Sequence, residues 1–176
     1  MKRLTMFLSV CLIVGASAFV AARSDGGDNP KGKKIRIGIY DNRPIAMAWF
    51  GSRFNPLEEK RREYDKAKAA GDEAKVKELG PWFPQFQRQL HFQGFGRAPV
   101  DDLLEPVKAE IAKFARDKQL AAITMSCDFT SDQVELIDVT DDLVKLYNPS
   151  EKMLQGLPEF RKTKPVKLSE LANHKD

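Results

Sequence analysis

The stretch that decides the fold is VELIDVTDDLVKLY, residues 134–147. Its first six residues are rich in β-formers and predict a short strand. Thr140 is a favoured N-cap residue, and Asp141 and Asp142 follow it in the first helical turn, where the helix dipole favours negative charge. The helix predicted here carries one apolar stripe, made of Leu143, Val144, Leu146 and Tyr147. A strand that runs into a half-apolar helix must cover other parts of the chain, so the rest of the sequence decides what it packs against.

Two further strands are predicted upstream. In KIRIGIYD, residues 34–41, three isoleucines alternate with Arg36 and Gly38, which predicts a strand whose isoleucines form a buried face. LAAITMSCD, residues 120–128, predicts the second strand, and the turn FTSDQ favours a hairpin between it and VELIDV. The predicted fold class is α+β, with a small sheet of about three strands and a long helical hairpin inserted between strands 1 and 2.

The predicted hairpin spans about residues 45–93. Its charged first arm favours i,i+4 ion pairs such as Glu58–Arg62, and Gly71-Asp72 predicts the tip, with a C-cap glycine followed by an N-cap. A separate helix is predicted over 101–118, bent or started by Pro106. The segment after Pro149 is expected to pack loosely.

An aromatic stripe follows the predicted tip. Large apolar side chains recur at spacings of three and four, at Leu79, Trp82, Phe83, Phe86 and Leu90. Such a stripe fits a core, or alternatively a surface that contacts a protein client or another subunit, because a thin hairpin has few places to bury aromatic rings. The candidate protein-contact residues are Trp82, Phe83, Phe86 and Phe95.

Motifs for chemistry are lacking in the sequence. It contains no HExxH, CxxC, Walker or dinucleotide motif, and Gly94-Phe95-Gly96 is not followed by the Lys-Ser/Thr of a phosphate loop. Neither histidine has a partner at metal-ligand spacing, and Asp101, Asp102, Asp141 and Asp142 fit first-turn positions of helices. We therefore expect no catalytic residue, no cofactor and no metal, and hence no enzyme.

The first 22 residues predict a signal peptide. Lys2 and Arg3 precede an apolar run at 4–14, and Ala16-Ser17-Ala18 and Val20-Ala21-Ala22 offer two cleavage sites. The alternative is a retained membrane anchor, but the run is shorter than the roughly 20 apolar residues that span a bilayer. The polar, Gly- and Pro-containing residues 23–33 predict a flexible linker. Without Lys2 and Arg3, 29 basic residues become 27 against 25 acidic ones, so the net charge falls from +4 to +2 and nucleic-acid binding gains no support. Cleavage would leave Cys127 as the lone cysteine, most simply a buried small hydrophobe, or else a reactive or intermolecular thiol.

The two ends of the predicted domain are KIRIGIYDNRPI, 34–45, and KQLAAITMSCDFTSDQVELIDVTDDLVKLYN, 118–148, which contains an Asp-Val-Thr-Asp helix start. These two segments resemble the corresponding ends of the Skp/OmpH family of periplasmic chaperones. The resemblance implies a homotrimer built on a β body shared by the subunits, with helical arms that enclose unfolded outer-membrane proteins without ATP. This chain departs from that pattern in a shorter, proline-interrupted hairpin, an extra helix at 101–118 and a longer tail.

The predicted organisation is a signal peptide at 1–22, a linker at 23–33, a Skp/OmpH-like domain at 34–148 and a C-terminal tail at 149–176. The expected function is that of a periplasmic, ATP-independent, chaperone-like protein that binds other proteins and contacts a membrane at most peripherally. The alternative is a structural or adaptor protein of the cell envelope without holdase activity.

Overall fold

A computed structural model describes residues 32–172. The predicted signal peptide lies outside these residues, and so does the predicted linker except for its last two positions. In chain order, the strands and α-helices of this part are β1 (Ile35–Ile39), α1 (Asn42–Phe50), α2 (Leu57–Ala70), α3 (Glu73–Leu79), α4 (Trp82–Gly94), α5 (Asp101–Leu104), α6 (Lys108–Asp117), β2 (Ala122–Thr124), β3 (Val134–Asp138), α7 (Thr140–Lys145), α8 (Glu151–Lys162) and α9 (Leu168–Ala172). The combination of many helices with a small three-stranded sheet confirms the predicted α+β class.

The sheet has the order β2-β1-β3, and both outer strands run parallel to β1. Ile39 lies opposite Thr124 on one side and Asp138 on the other. The predicted hairpin between the second and third strands is therefore wrong, because β1 lies between them. A short segment between two strand patterns is typical of a hairpin, whereas residues 125–133 here carry the chain from one edge of the sheet to the other.

The core lies on the face of the sheet opposite to the predicted one. Gly38 is buried, and a Cβ atom at its position would lie 3.1 Å from Cγ2 of the buried Val139. Because side chains alternate along a strand, the three isoleucines belong to the other face, and Ile35 is 46% exposed. The prediction that the isoleucines form the buried face is therefore wrong. Glycine fits the core side because it lets the start of α7 approach the strand.

The hydrophobic core is centred on α1 and α7, which pack against each other and against the segment around α5. Ile45, Leu143 and Val144 have no measurable exposure, and Val100 and Val107 are almost as deeply buried. The stripe predicted on the helix after VELIDV thus faces α1.

The segment Asp41-Asn42-Arg43 fixes the start of α1. The Asp41 carboxylate accepts a hydrogen bond from the backbone N–H of Arg43 at 3.0 Å, which makes Asp41 the N-cap. Asn42 is 1% exposed and donates to the carbonyls of Gln93 (2.7 Å) and Gly96 (3.0 Å). These carbonyls lie at the C-terminal end of α4, where the helix has no further backbone N–H groups to bond them. One buried amide therefore joins the start of α1 to the end of α4.

Thr140 has a different role from the predicted one. It is the first residue of α7, and Val139 holds the N-cap position without a capping hydrogen bond from its side chain. The Thr140 hydroxyl instead accepts from the backbone N–H of Asp41 at 2.9 Å, while its own N–H donates to the Asp138 carboxylate at 2.9 Å. The predicted N-cap is therefore wrong: the residue links the ends of β1 and β3.

The region predicted as one long hairpin contains four helices. Its tip is confirmed, since Gly71 has φ +70° at the end of α2 and Asp72 caps α3 by accepting from Lys75 N at 3.0 Å. A single hairpin over the whole region is not confirmed, because the chain also breaks between α1 and α2 and between α3 and α4. Within the described residues the predicted Glu58–Arg62 pair does not form, and the helix α2 carries a Lys60–Glu63 pair at 3.0 Å instead.

The predicted helix over 101–118 is two helices, separated by a turn of 3-10 helix at Glu105–Val107 that contains Pro106. The expectation of a loosely packed tail is wrong, since Leu157 of α8 is 5% exposed within the core.

The preferred interpretation of Cys127 as a buried small hydrophobe is also wrong. Strand β2 ends at Thr124, so the thiol lies in the segment that connects β2 to β3 and is exposed. Among residues 32–172, no helix combines the length and apolar composition needed to cross a bilayer.

Candidate functional site

An apolar groove with a volume of about 400 Å³ lies between α1, α2 and α4. We call it the aromatic groove, and its large apolar side chains are Met47, Phe50, Leu57, Phe83, Phe86, Leu90 and Phe95. Its size lies within the range of about 300–1,000 Å³ that is usual for sites that bind small molecules or short segments. The groove therefore has room for a few side chains of a ligand.

The wall on α4 is built from a chain of aromatic rings. Phe86 stacks on Trp82 with ring centroids 4.5 Å apart, and its other neighbour is Trp49 of α1 at 6.1 Å. Phe83 meets Trp82 edge-on at 5.3 Å and Tyr64 of α2 at 5.5 Å. These contacts hold the three helices in place, because offset and edge-on ring pairs add to the stability that burial alone provides.

The floor and rim of the groove expose apolar surface to solvent. Met47 is 38% exposed, Phe50 is 42% exposed and Phe95 is 49% exposed, and all three line the groove. Single exposed apolar residues are ordinary, but a contiguous group in a concave surface is typical of a binding site.

Three of the four predicted contact residues meet in this groove: Phe83, Phe86 and Phe95. Trp82 does not line it and instead supports Phe86 from behind. Trp82, Phe83 and Phe86 are all half-buried. The stripe therefore has features of both interpretations offered by the sequence, since it packs against the core and also forms one wall of an open groove.

Sequence reasoning missed the contribution of α1. Met47 and Phe50 lie in AMAWF, residues 46–50, which is apolar at every position. A helix segment that is apolar all round is normally buried, so the pattern gave no reason to expect two of its side chains at the surface. The available signal was the odd spacing of these two residues relative to Ile45 and Trp49, which turn toward the core.

The groove is almost free of charge. Among residues 32–172, Arg61, one turn after Leu57 on α2, is the lysine or arginine that lines it, and no aspartate or glutamate does so. His91 lies at the rim beside Phe95, with ring centroids 5.5 Å apart. The groove is therefore apolar, with the positive charge of Arg61 at its edge.

Comparison of the chain with protein-family models, with curated proteins and with solved structures gives no match. The choice of the aromatic groove as the functional site therefore depends on how it compares with the other concave surfaces of the chain.

A second concave surface is a cleft of about 750 Å³ on the other face of α4, lined by both apolar and polar residues. Its Asp102 carboxylate accepts from Gln89 at 2.6 Å and from Gln93 at 2.8 Å. Gln93 also donates to the Pro99 carbonyl at 2.9 Å. These bonds hold the start of α5 against α4, and Gln93 Oε1, which has no hydrogen-bond partner among the described residues, is buried away from solvent. The two amides and the carboxylate therefore do not converge on an open ligand position.

A smaller crevice of about 260 Å³ lies at the carboxyl ends of the strands, where parallel sheets commonly bind ligands. It contains Tyr40, Arg97, Cys127 and Asp138. Burial, with a smaller contribution from Asp101, raises the pKa of Tyr40, so the phenol stays protonated at neutral pH. Asp138 already accepts from a backbone N–H and lies 3.6 Å from Arg161. In the part of the chain that the structure describes, no group of three or more His, Cys, Asp or Glu residues could hold a metal ion.

Proposed function

We propose that the protein is an extracytoplasmic, ATP-independent binding protein of chaperone-like character, and that its aromatic groove receives apolar segments of other proteins. The observation that carries this proposal is the clustering of Met47, Phe50 and Phe95, all exposed, in one groove with an aromatic wall. Burial of such surface by a partner is favourable because it removes apolar area from water. The export of the protein, its lack of catalytic activity and a homotrimeric state belong to the same proposal.

The size of the groove favours a short segment over a whole client. About 400 Å³ accommodates a few side chains, so one groove engages one stretch of an extended or helical chain. This observation supports the second candidate function, an adaptor of the cell envelope that binds a defined apolar motif without holdase activity. The two functions use the same groove and differ in whether unfolded outer-membrane proteins are kept soluble.

The test is a light-scattering assay in which an unfolded outer-membrane protein is diluted from denaturant into stoichiometric amounts of the protein. Phe50→Ser with Phe95→Ser removes two exposed groove contacts, each worth on the order of 1 kcal/mol when buried by a client, and should weaken the interaction by about 30-fold. Both positions are exposed, so the circular dichroism spectrum should stay unchanged.

The matched control is Phe129→Ser, because Phe129 is 85% exposed and lies outside the groove. It should suppress aggregation as the unmodified protein does. Equal loss in the control and in the double variant would contradict a specific role of the groove. No suppression by the unmodified protein would exclude the holdase function and leave the adaptor function.

A further inference from the structure

We infer that the segment received by the aromatic groove carries a carboxylate beside its apolar anchor, and that the Arg61 guanidinium pairs with it. This inference rests on the proposed function and adds the chemistry of the partner: an apolar segment flanked by aspartate or glutamate.

The position of Arg61 is the first reason. Leu57 and Arg61 are four residues apart on α2, so they lie on the same face of the helix, and both line the groove. In the described part of the chain, no acidic side chain lines the groove with them. A ligand in the groove therefore meets one apolar surface and one positive charge at its edge.

The second reason is the state of the guanidinium. The neighbouring Lys60 pairs with Glu63 at 3.0 Å, whereas Arg61 has no ion pair or hydrogen bond among the described residues. An exposed arginine without a partner is ordinary on a convex surface. Beside an apolar groove it matters more, because a bound segment excludes water from the guanidinium and strengthens its interaction with any nearby carboxylate.

Arginine suits this role by its shape. Its planar fork of N–H donors matches a carboxylate in two parallel hydrogen bonds, and its weak hydration lets it lie against aromatic rings. A segment that carries lysine at this position would meet repulsion, and one without charge would leave the guanidinium partly desolvated and unpaired. The groove thereby selects among apolar segments by their flanking charge.

The experiment uses two fluorescein-labelled peptides with the same apolar core, containing Phe and Leu, flanked on both sides either by glutamate or by glutamine. Fluorescence anisotropy measures their affinities for the full chain, for Arg61→Gln and for Arg62→Gln. Arg62 is the matched control, since it is the next residue on α2, carries the same charge and does not line the groove.

The unmodified protein should bind the glutamate peptide about 3–10 times more tightly than the glutamine peptide, as for a partly exposed ion pair. Arg61→Gln should abolish this preference, mainly by weakening the binding of the glutamate peptide, while Arg62→Gln should retain it. The preference should also shrink at high salt.

The failures of the two proposals are distinguishable. If both peptides bind equally well to the unmodified protein, or if Arg62→Gln removes the preference and Arg61→Gln does not, the inference is overturned and the groove remains a binding site. If neither peptide binds at any concentration tested, the proposed function is contradicted and the inference falls with it.

Discussion

The replacement Arg43→Met tests how the end of α8 is held against the start of α1. The Arg43 side chain is 6% exposed and forms a two-pronged pair with the Asp41 carboxylate, with Nε at 3.0 Å and Nη2 at 2.5 Å. It also donates to the Phe160 carbonyl at 2.7 Å and to the Thr163 carbonyl at 3.0 Å. One buried guanidinium therefore joins the start of α1 to the end of α8.

Methionine at this position keeps an apolar stem but removes every donor. The Asp41 carboxylate loses its counter-ion, and the carbonyls of Phe160 and Thr163 lose the guanidinium donor. Removal of one member of a buried ion pair lowers the free energy of unfolding by about 3–5 kcal/mol. Because the Asp41 side chain remains 24% exposed and water can reach it, we expect the lower end of this range, about 3 kcal/mol.

The assay is urea unfolding monitored by circular dichroism. The urea concentrations at the midpoint of unfolding are compared between variants that share the same dependence of the unfolding free energy on urea concentration. Arg161→Gln is the control: this guanidinium also pairs with aspartates, Asp138 and Asp141, but its side chain is 48% exposed. Its removal should lower the free energy of unfolding by less than about 1 kcal/mol. Equal losses in the two variants, or a loss below about 1 kcal/mol in Arg43→Met, would refute the argument from burial.

Three further predictions concern single positions. Gly96→Ala should destabilise the protein by about 1–3 kcal/mol in the same urea assay, because the new Cβ would lie 2.9 Å from a backbone carbonyl oxygen. Gly156→Ala should instead stabilise it by about 0.5–1 kcal/mol, since no described atom outside its own helix backbone lies within 4 Å of the new Cβ. Burial raises the pKa of the Tyr147 phenol in the folded protein, so above about pH 10 the phenol ionises in the unfolded chain before it does so in the folded one. The free energy of unfolding should therefore fall above this pH. Tyr147→Phe should reduce this fall, as measured by the urea midpoint of unfolding at a series of pH values. Cys127 should react with a maleimide without denaturant, as peptide mapping by mass spectrometry would detect, and protection until unfolding would contradict its exposure.

Some local signals in the sequence predicted local structure correctly, although the N-cap at Thr140 and the buried face of β1 were predicted wrongly. Gly71 and Asp72 mark the turn between α2 and α3 because a glycine in a left-handed conformation and a capping aspartate act within a few residues. The apolar stripe after VELIDV faces the core for the same reason.

Contacts between residues that lie far apart along the chain could not be predicted from the sequence. The order of the strands depends on which edges of β1 the later strands reach, and nothing within 125–133 encodes that choice. The partners of Arg43 at Phe160 and Thr163 are more than 100 residues away along the chain, so a buried arginine in this motif could not be recognised. Periodicity found the α4 wall of the groove, but the contribution of α1 depends on tertiary packing.

The most direct test of the central claim is site-specific photo-cross-linking with p-benzoylphenylalanine in place of Phe95 or of Phe129. Both side chains are exposed, at 49% and 85%, but only Phe95 lines the aromatic groove. With an unfolded outer-membrane protein present, the probe at position 95 should form a cross-linked product and the probe at position 129 should not. Equal cross-linking at both positions, or cross-linking at position 129 alone, would contradict the assignment of the groove as the binding site.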